Sequence, residues 1–118
     1  MTLSNAPAAV DRFWRNYRNL LTKSGVKASA EGWYVWHAEA YLKVFEGRRL
    51  ATHTGGEVEG WLADRGRIGR LQPWQFDQVV EAVRLLLQLA QAPASAAVDW
   101  AYWRGRARVA GDASHTCA

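Results

Sequence analysis

The spacing of apolar residues constrains this chain more than any other feature. Large apolar side chains recur at intervals of three and four from Val10 to Leu87, which gathers them on one side of a helix instead of alternating them across a strand. No four residues in a row alternate as a half-buried strand requires, and β-branched residues never cluster. The expected fold class is therefore all-α. Val10, Phe13, Trp14, Tyr17, Leu20 and Leu21 form the stripe of a first helix over residues 8–24. Gly25 should stop it, because glycine accepts the left-handed turn that ends helices. A second helix, capped by Ser29 with Glu31 near its positive end, carries Trp33, Trp36, His37, Ala40, Tyr41 and Val44 on the face expected to be buried, and ends near Gly47.

Thr54-Gly55-Gly56-Glu57 reads as a capping box that opens a short third helix with Val58, Trp61 and Leu62 facing inward. Arg65-Gly66-Arg67-Ile68-Gly69-Arg70 reads as a glycine-jointed basic loop. Pro73 belongs in the first turn of a fourth helix, where no amide donor is needed. That helix runs to Ala90, with Phe76, Val79, Val80, Val83, Leu86 and Leu87 as its buried stripe. Residues 91–97 are small and include Pro93, the composition of a linker. A short helical segment over 98–109 follows. Residues 1–7 are expected to be flexible and 110–118 disordered. The spacing thus describes a four-helix bundle over residues 8–90 with a short C-terminal helical appendix.

Composition removes several classes of function. The chain has 118 residues and a single cysteine, Cys117, so no internal disulfide framework exists and a reducing compartment is expected. A dinucleotide-binding fold needs more βαβ units than fit. No run of 18 apolar residues would span a membrane, and residues 1–10 do not make a signal peptide. His115 and Cys117 have ligand-like spacing, but two ligands do not make a metal site. His37 is expected as a core or boundary histidine with one hydrogen-bonded nitrogen, and Glu39 as a solvated face residue. No nucleophile has an activating motif and no carboxylate pair recurs at a useful spacing, so no catalysis, cofactor or small-molecule substrate is expected.

Seven tryptophans remain. Trp14, Trp33, Trp36 and Trp61 fall on the stripes and are expected in the core, while Trp74 staples the loop before the fourth helix. Trp100 and Trp103 either pack back as a lid or wait for a partner surface. The other signal is charge: fifteen Lys+Arg, twelve of them Arg, against eleven Asp+Glu give a formal +4. Lys43, Arg48, Arg49, Arg65, Arg67 and Arg70 lie at the end of the second helix and in the segments flanking the third. Arginine's planar fork suits phosphate. Gln75 and Gln78 sit one turn apart near the start of the fourth helix, where a docked helix makes its base contacts, and glutamine can pair bidentately with adenine.

The ordered series Trp33-Tyr34-Val35-Trp36-His37-Ala38-Glu39-Ala40-Tyr41, Gly47-Arg48-Arg49-Leu50, Gly66-Arg67-Ile68-Gly69-Arg70-Leu71 and Trp74-Gln75-Phe76-Asp77-Gln78 resembles the N-terminal SAM-like, core-binding domain of tyrosine recombinases of the integron and phage-integrase kind. Phe13-Trp14-Arg15-Asn16-Tyr17 and Asp99-Trp100-Ala101-Tyr102-Trp103-Arg104 extend the likeness over residues 11–106. The resemblance implies an orthogonal four-helix domain that clamps one side of duplex DNA while a separate catalytic domain performs strand exchange. It implies base-facing roles for Lys43, Arg48, Gln75 and Gln78, and phosphate contacts for Arg49, Arg65, Arg67 and Arg70. It also implies a cytoplasmic, nucleoid-associated bacterial protein without catalytic residues of its own. The chain departs from the resemblance at Trp36, where such domains commonly carry a basic residue. The alternative is a helical interaction or self-association module derived from a truncated integrase, resting on the Trp100 and Trp103 segment.

Overall fold

The structure, a computed structural model, describes residues 2–68 and 70–104. Among them α1 spans Thr2–Lys23, α2 Ala28–Val44, a 3-10 turn Leu50–Thr52, α3 Gly55–Ile68, α4 Pro73–Leu89 and α5 Ala94–Ala97, and residues 100–104 add a last helical turn. The described residues contain no strand; the fold is an all-α bundle. The helix α4 lies at its centre, touching α1, α2, α3 and α5. Its expected stripe is buried, and Ala82 and Leu85 are buried with it, because a helix with neighbours on several sides must be apolar over most of its circumference. Around it the core collects Tyr17 and Leu21 from α1, Ala38 and Tyr41 from α2, and Val58 and Leu62 from α3. The Tyr17 hydroxyl, fully buried, donates to the Ala82 carbonyl at 2.7 Å and ties α1 to α4.

Several local signals act as the spacing predicts. Gly25 adopts φ +88° just past the end of α1, the left-handed geometry that favours glycine. The capping box forms in both directions: the Thr54 amide donates to Glu57 Oε1 at 3.0 Å and the Glu57 amide to Thr54 Oγ1 at 3.1 Å. Pro73 opens α4.

Other expectations need correcting. The first helix begins at Thr2, ahead of the expected residue 8, because a helix needs only its backbone hydrogen bonds and not a buried face; Val10, expected on the buried stripe, is exposed. Lys27, extended and without a side-chain cap, precedes α2, and Ser29 already lies inside the first turn. Residues 65–68 are not a loop but the last turn of α3. Gly66 is there for closeness, not for a joint: a Cβ on it would stand 3.0 Å from the Phe76 ring at the start of α4.

Residues 91–97 are not a linker either. Ala92 and Ala94 are buried, and a Cβ at Gly55 would meet the Ala97 side chain at 3.0 Å, so the small residues permit close packing. Trp103 is buried and donates its indole N–H to Glu59 at 3.0 Å, and Trp100 is half-buried and donates to the Ser95 carbonyl at 2.8 Å. The C-terminal segment therefore packs back onto the bundle. The expectations for residues 105–118, including His115 and Cys117, lie outside the described residues, as does Gly69.

The largest correction concerns α2. Trp33 and Trp36 are not core: they are 60% and 53% exposed, while His37, Ala38 and Tyr41 take the buried face. Aromatic and apolar side chains point all round this helix, so spacing offers two overlapping stripes, and the position of α4 decides between them.

Candidate functional site

The eight residues singled out for DNA contact divide into two groups along the molecule. At the end of α2, Lys43 is exposed, two turns beyond Trp36 on the same helical face. Arg48 is occupied within the fold. Its guanidinium forks onto the Glu57 carboxylate, with Nη2 to Oε1 at 3.0 Å and Nη1 to Oε2, and Nη2 also reaches the Thr52 carbonyl at 2.9 Å. The same group lies 6.0 Å from the Phe45 ring centroid. The Arg48 hydrogen bond, followed by the Thr54 amide, holds the Glu57 carboxyl well below the usual carboxylate range. Arg48 and Glu57 thus brace the end of α2 against the start of α3. Arg49 is exposed, directly before the 3-10 turn.

The second group lies where α3 ends and α4 begins. Arg67 is exposed and pairs with Asp64 one turn back, a contact of small energetic weight in water. Arg70 is exposed, with φ +49°. Arg65 is half-buried, its guanidinium 5.5 Å from the Trp36 ring and 5.8 Å from that of Trp61, close enough for cation–π attraction. Gln75 serves the fold first: its Oε1 accepts the Gln72 amide at 2.9 Å, one half of a reciprocal capping box at the start of α4. Only its NH₂ remains for outside contacts. Gln78 is half-buried one turn further on.

Gln75 and Gln78 border a cleft of 280 Å³ between α2 and the start of α4, and Arg65 lies against one of its tryptophans, Trp36. Trp33, Trp36 and Trp74 form its walls, with Leu71, and His37, Gln75 and Gln78 supply its polar groups. Trp74 is 60% exposed; Trp33 and Trp36 meet edge to face at 6.3 Å. His37 is only 4% exposed, and its Nδ1 has no hydrogen-bond partner. Burial, then the positive charge of Arg65, pushes the His37 pKa below its ordinary value, and the Gln78 amide opposes the shift. At neutral pH the ring is therefore uncharged, offering one donor and one acceptor. No carboxylate lines the cleft. The arrangement presents indole surface together with amide and imidazole groups.

Spacing alone missed this cleft, because it assigned Trp33 and Trp36 to the core. The available signal was the departure at Trp36, an aromatic where the resemblance leads one to expect a cation. Among the described residues no three His, Cys, Asp or Glu side chains come together as metal ligands, and no helix is long and apolar enough to cross a membrane. Comparison with protein-family models, with curated proteins and with solved structures finds no match for this chain.

Proposed function

We propose that this chain is a DNA-binding helical domain of the tyrosine-recombinase core-binding kind, acting on bacterial nucleoid DNA in the cytoplasm beside a separate catalytic domain and without catalysis of its own. One observation carries the reading: Arg65, Arg67 and Arg70 come from one short stretch that leads straight into Gln75 and Gln78, beside an exposed face of α2 that also bears Lys43. Arginines fix the duplex through phosphates and glutamine amides read base edges. Gln78 is the better reader, since Gln75 spends its oxygen on the helix cap. Arg49 and Arg70 are the better phosphate contacts, being exposed, whereas Arg48 is engaged by Glu57. The interaction-module alternative has less support, because Trp103 is buried and Trp100 half-buried against the bundle.

Fluorescence anisotropy of a labelled duplex, titrated over a range of salt, tests the reading. Binding should weaken steeply as salt rises, and Arg49→Ala or Arg70→Ala should each reduce the slope of log K against log salt by about 1. Arg48→Ala should lower the melting temperature more than it alters that slope. Gln78→Ala should change sequence preference more than overall affinity. Binding that ignores salt, or no binding in dilute buffer, overturns the proposal.

A further inference from the structure

A second cavity, of 310 Å³, extends the indole-walled cleft along the groove between α2 and α4. Tyr34, Trp74, Asp77, Gln78, Glu81 and Arg104 line it, so Trp74 and Gln78 belong to both cavities. The residues contributed by α4 follow one another at intervals of three and four on a single face, and Trp74 and Glu81 stand about 10 Å apart along the helix. The groove changes character over that length. One end carries the carboxylates of Asp77 and Glu81; the other is aromatic, with the indoles of Trp33, Trp36 and Trp74 each more than half exposed. Clustered apolar exposure of this kind marks a surface that something covers.

The chain itself leads into this groove. Arg104, the last described residue, bonds the Glu81 carboxylate at the acidic end. The residues that follow it are Gly105-Arg106-Ala107-Arg108. In an extended chain alternate side chains fall on the same side, which sets Arg106 and Arg108 in line behind Arg104 with only small residues between them. Four extended residues cover about 13 Å, enough to pass Asp77 and reach Trp74. Guanidinium groups suit both ends of the groove, since they fork onto carboxylates and lie against indole faces. The fold already uses both arrangements, with Arg104 on Glu81 and Arg65 against Trp36.

We propose that residues 105–108 lie extended in the α2/α4 groove as a strap, with Arg106 beside Asp77 and Arg108 on the indole of Trp74, covering Gln78 until DNA displaces it. The strap itself does not depend on DNA; its inhibitory effect rests on the DNA-binding reading above. Nuclear magnetic resonance of the isotope-labelled full chain tests the strap. Arg106→Ala/Arg108→Ala should shift the indole N–H signals of Trp33 and Trp74 and leave that of Trp14, on α1, in place. Because part of the attraction is ionic, rising salt should carry the unsubstituted protein's signals towards those of the variant. Anisotropy of a labelled duplex tests the inhibition. The loss of two cations alone weakens duplex binding, whereas the loss of a strap strengthens it. A strap seated about two-thirds of the time leaves about a third of the molecules open, so the variant should bind the duplex about threefold tighter. Indole signals that the double substitution does not move overturn the strap. Signals that move while duplex affinity holds or falls overturn the inhibition. If neither protein binds the duplex, the DNA-binding reading and the inhibition both fall, and the indole signals alone decide the strap.

Discussion

Glycine illustrates how one residue type answers different physical demands along this chain. At Gly25 the requirement is a left-handed backbone, with φ +88°. At Gly66 it is the absence of a side chain, since Phe76 stands 3.0 Å from where a Cβ would be. At Gly60 neither applies, for nothing lies within 4 Å. Substitution by alanine should therefore have opposite signs at the two helical positions. Gly60→Ala should stabilise the protein by up to about 1 kcal/mol, the helix-propensity difference. Gly66→Ala should destabilise it by about 1 kcal/mol, because crowding a buried ring outweighs that gain. Urea unfolding measures both, and a Gly66→Ala protein as stable as Gly60→Ala would disprove the close-approach account. Arginine shows the same dependence on surroundings. Arg48, Arg65 and Arg67 are alike on paper, yet one braces two helices, one lies against two indoles and one pairs with an exposed aspartate.

Among the elements, α4 organises the rest. Its two signals at the N-terminus, Pro73 and the Gln72–Gln75 capping box, set where it begins and so fix which of its side chains meet α2. The helix α1 is held against it by apolar contact and by the Tyr17 hydroxyl bonded to the Ala82 carbonyl. Removing that hydroxyl with Tyr17→Phe should cost about 1 kcal/mol, with helical content unchanged. Hydrogen exchange of α1 amides should rise in the variant, and unaltered stability would mean the bond adds nothing beyond packing. The same packing explains why the third helix is longer than its spacing suggests. Its last turn gains support from Phe76 of a different helix, which no local pattern reports.

For the whole molecule, acid is the condition that discriminates most. His37 and His53 are both buried, and the Tyr41 hydroxyl meets His53 Nδ1 at 2.6 Å. Both pKa values lie below 6.5, through burial first and then through Arg65 for His37 and Arg48 for His53. Between pH 7 and about 5 the unfolded chain takes up protons that the folded chain refuses, so stability falls as pH drops through this window. Glu57 and Glu81 have carboxyls lowered by their arginine partners; their contribution is present above the ordinary carboxylate pKa and is lost on further acidification. Thermal melts should show two successive declines, the first absent from a His37→Gln/His53→Gln protein that still folds. A melting temperature constant from pH 7.5 to 5 would contradict this assignment.

What could be read from the residues in order was everything that depends on near neighbours in the chain. The all-α class, the stop at Gly25, the Thr54–Glu57 box, Pro73 at the head of α4 and the stripe from Phe76 to Leu87 all rest on contacts within one or two turns. Part of the candidate site was legible in the same way, since the arginine-rich stretch and the two glutamines are sequence neighbours. The cleft was not. Whether an indole on α2 is core or surface depends on which side α4 approaches, and α2 is aromatic all round. Likewise, the small residues at 91–97 resemble a linker until Gly55 and Ala97 are seen to touch, and Trp103 looks unclaimed until Glu59, far away in the chain, accepts its N–H. Periodicity reports how much of a helix is apolar; only the assembled bundle has the neighbours that determine which part of it water reaches.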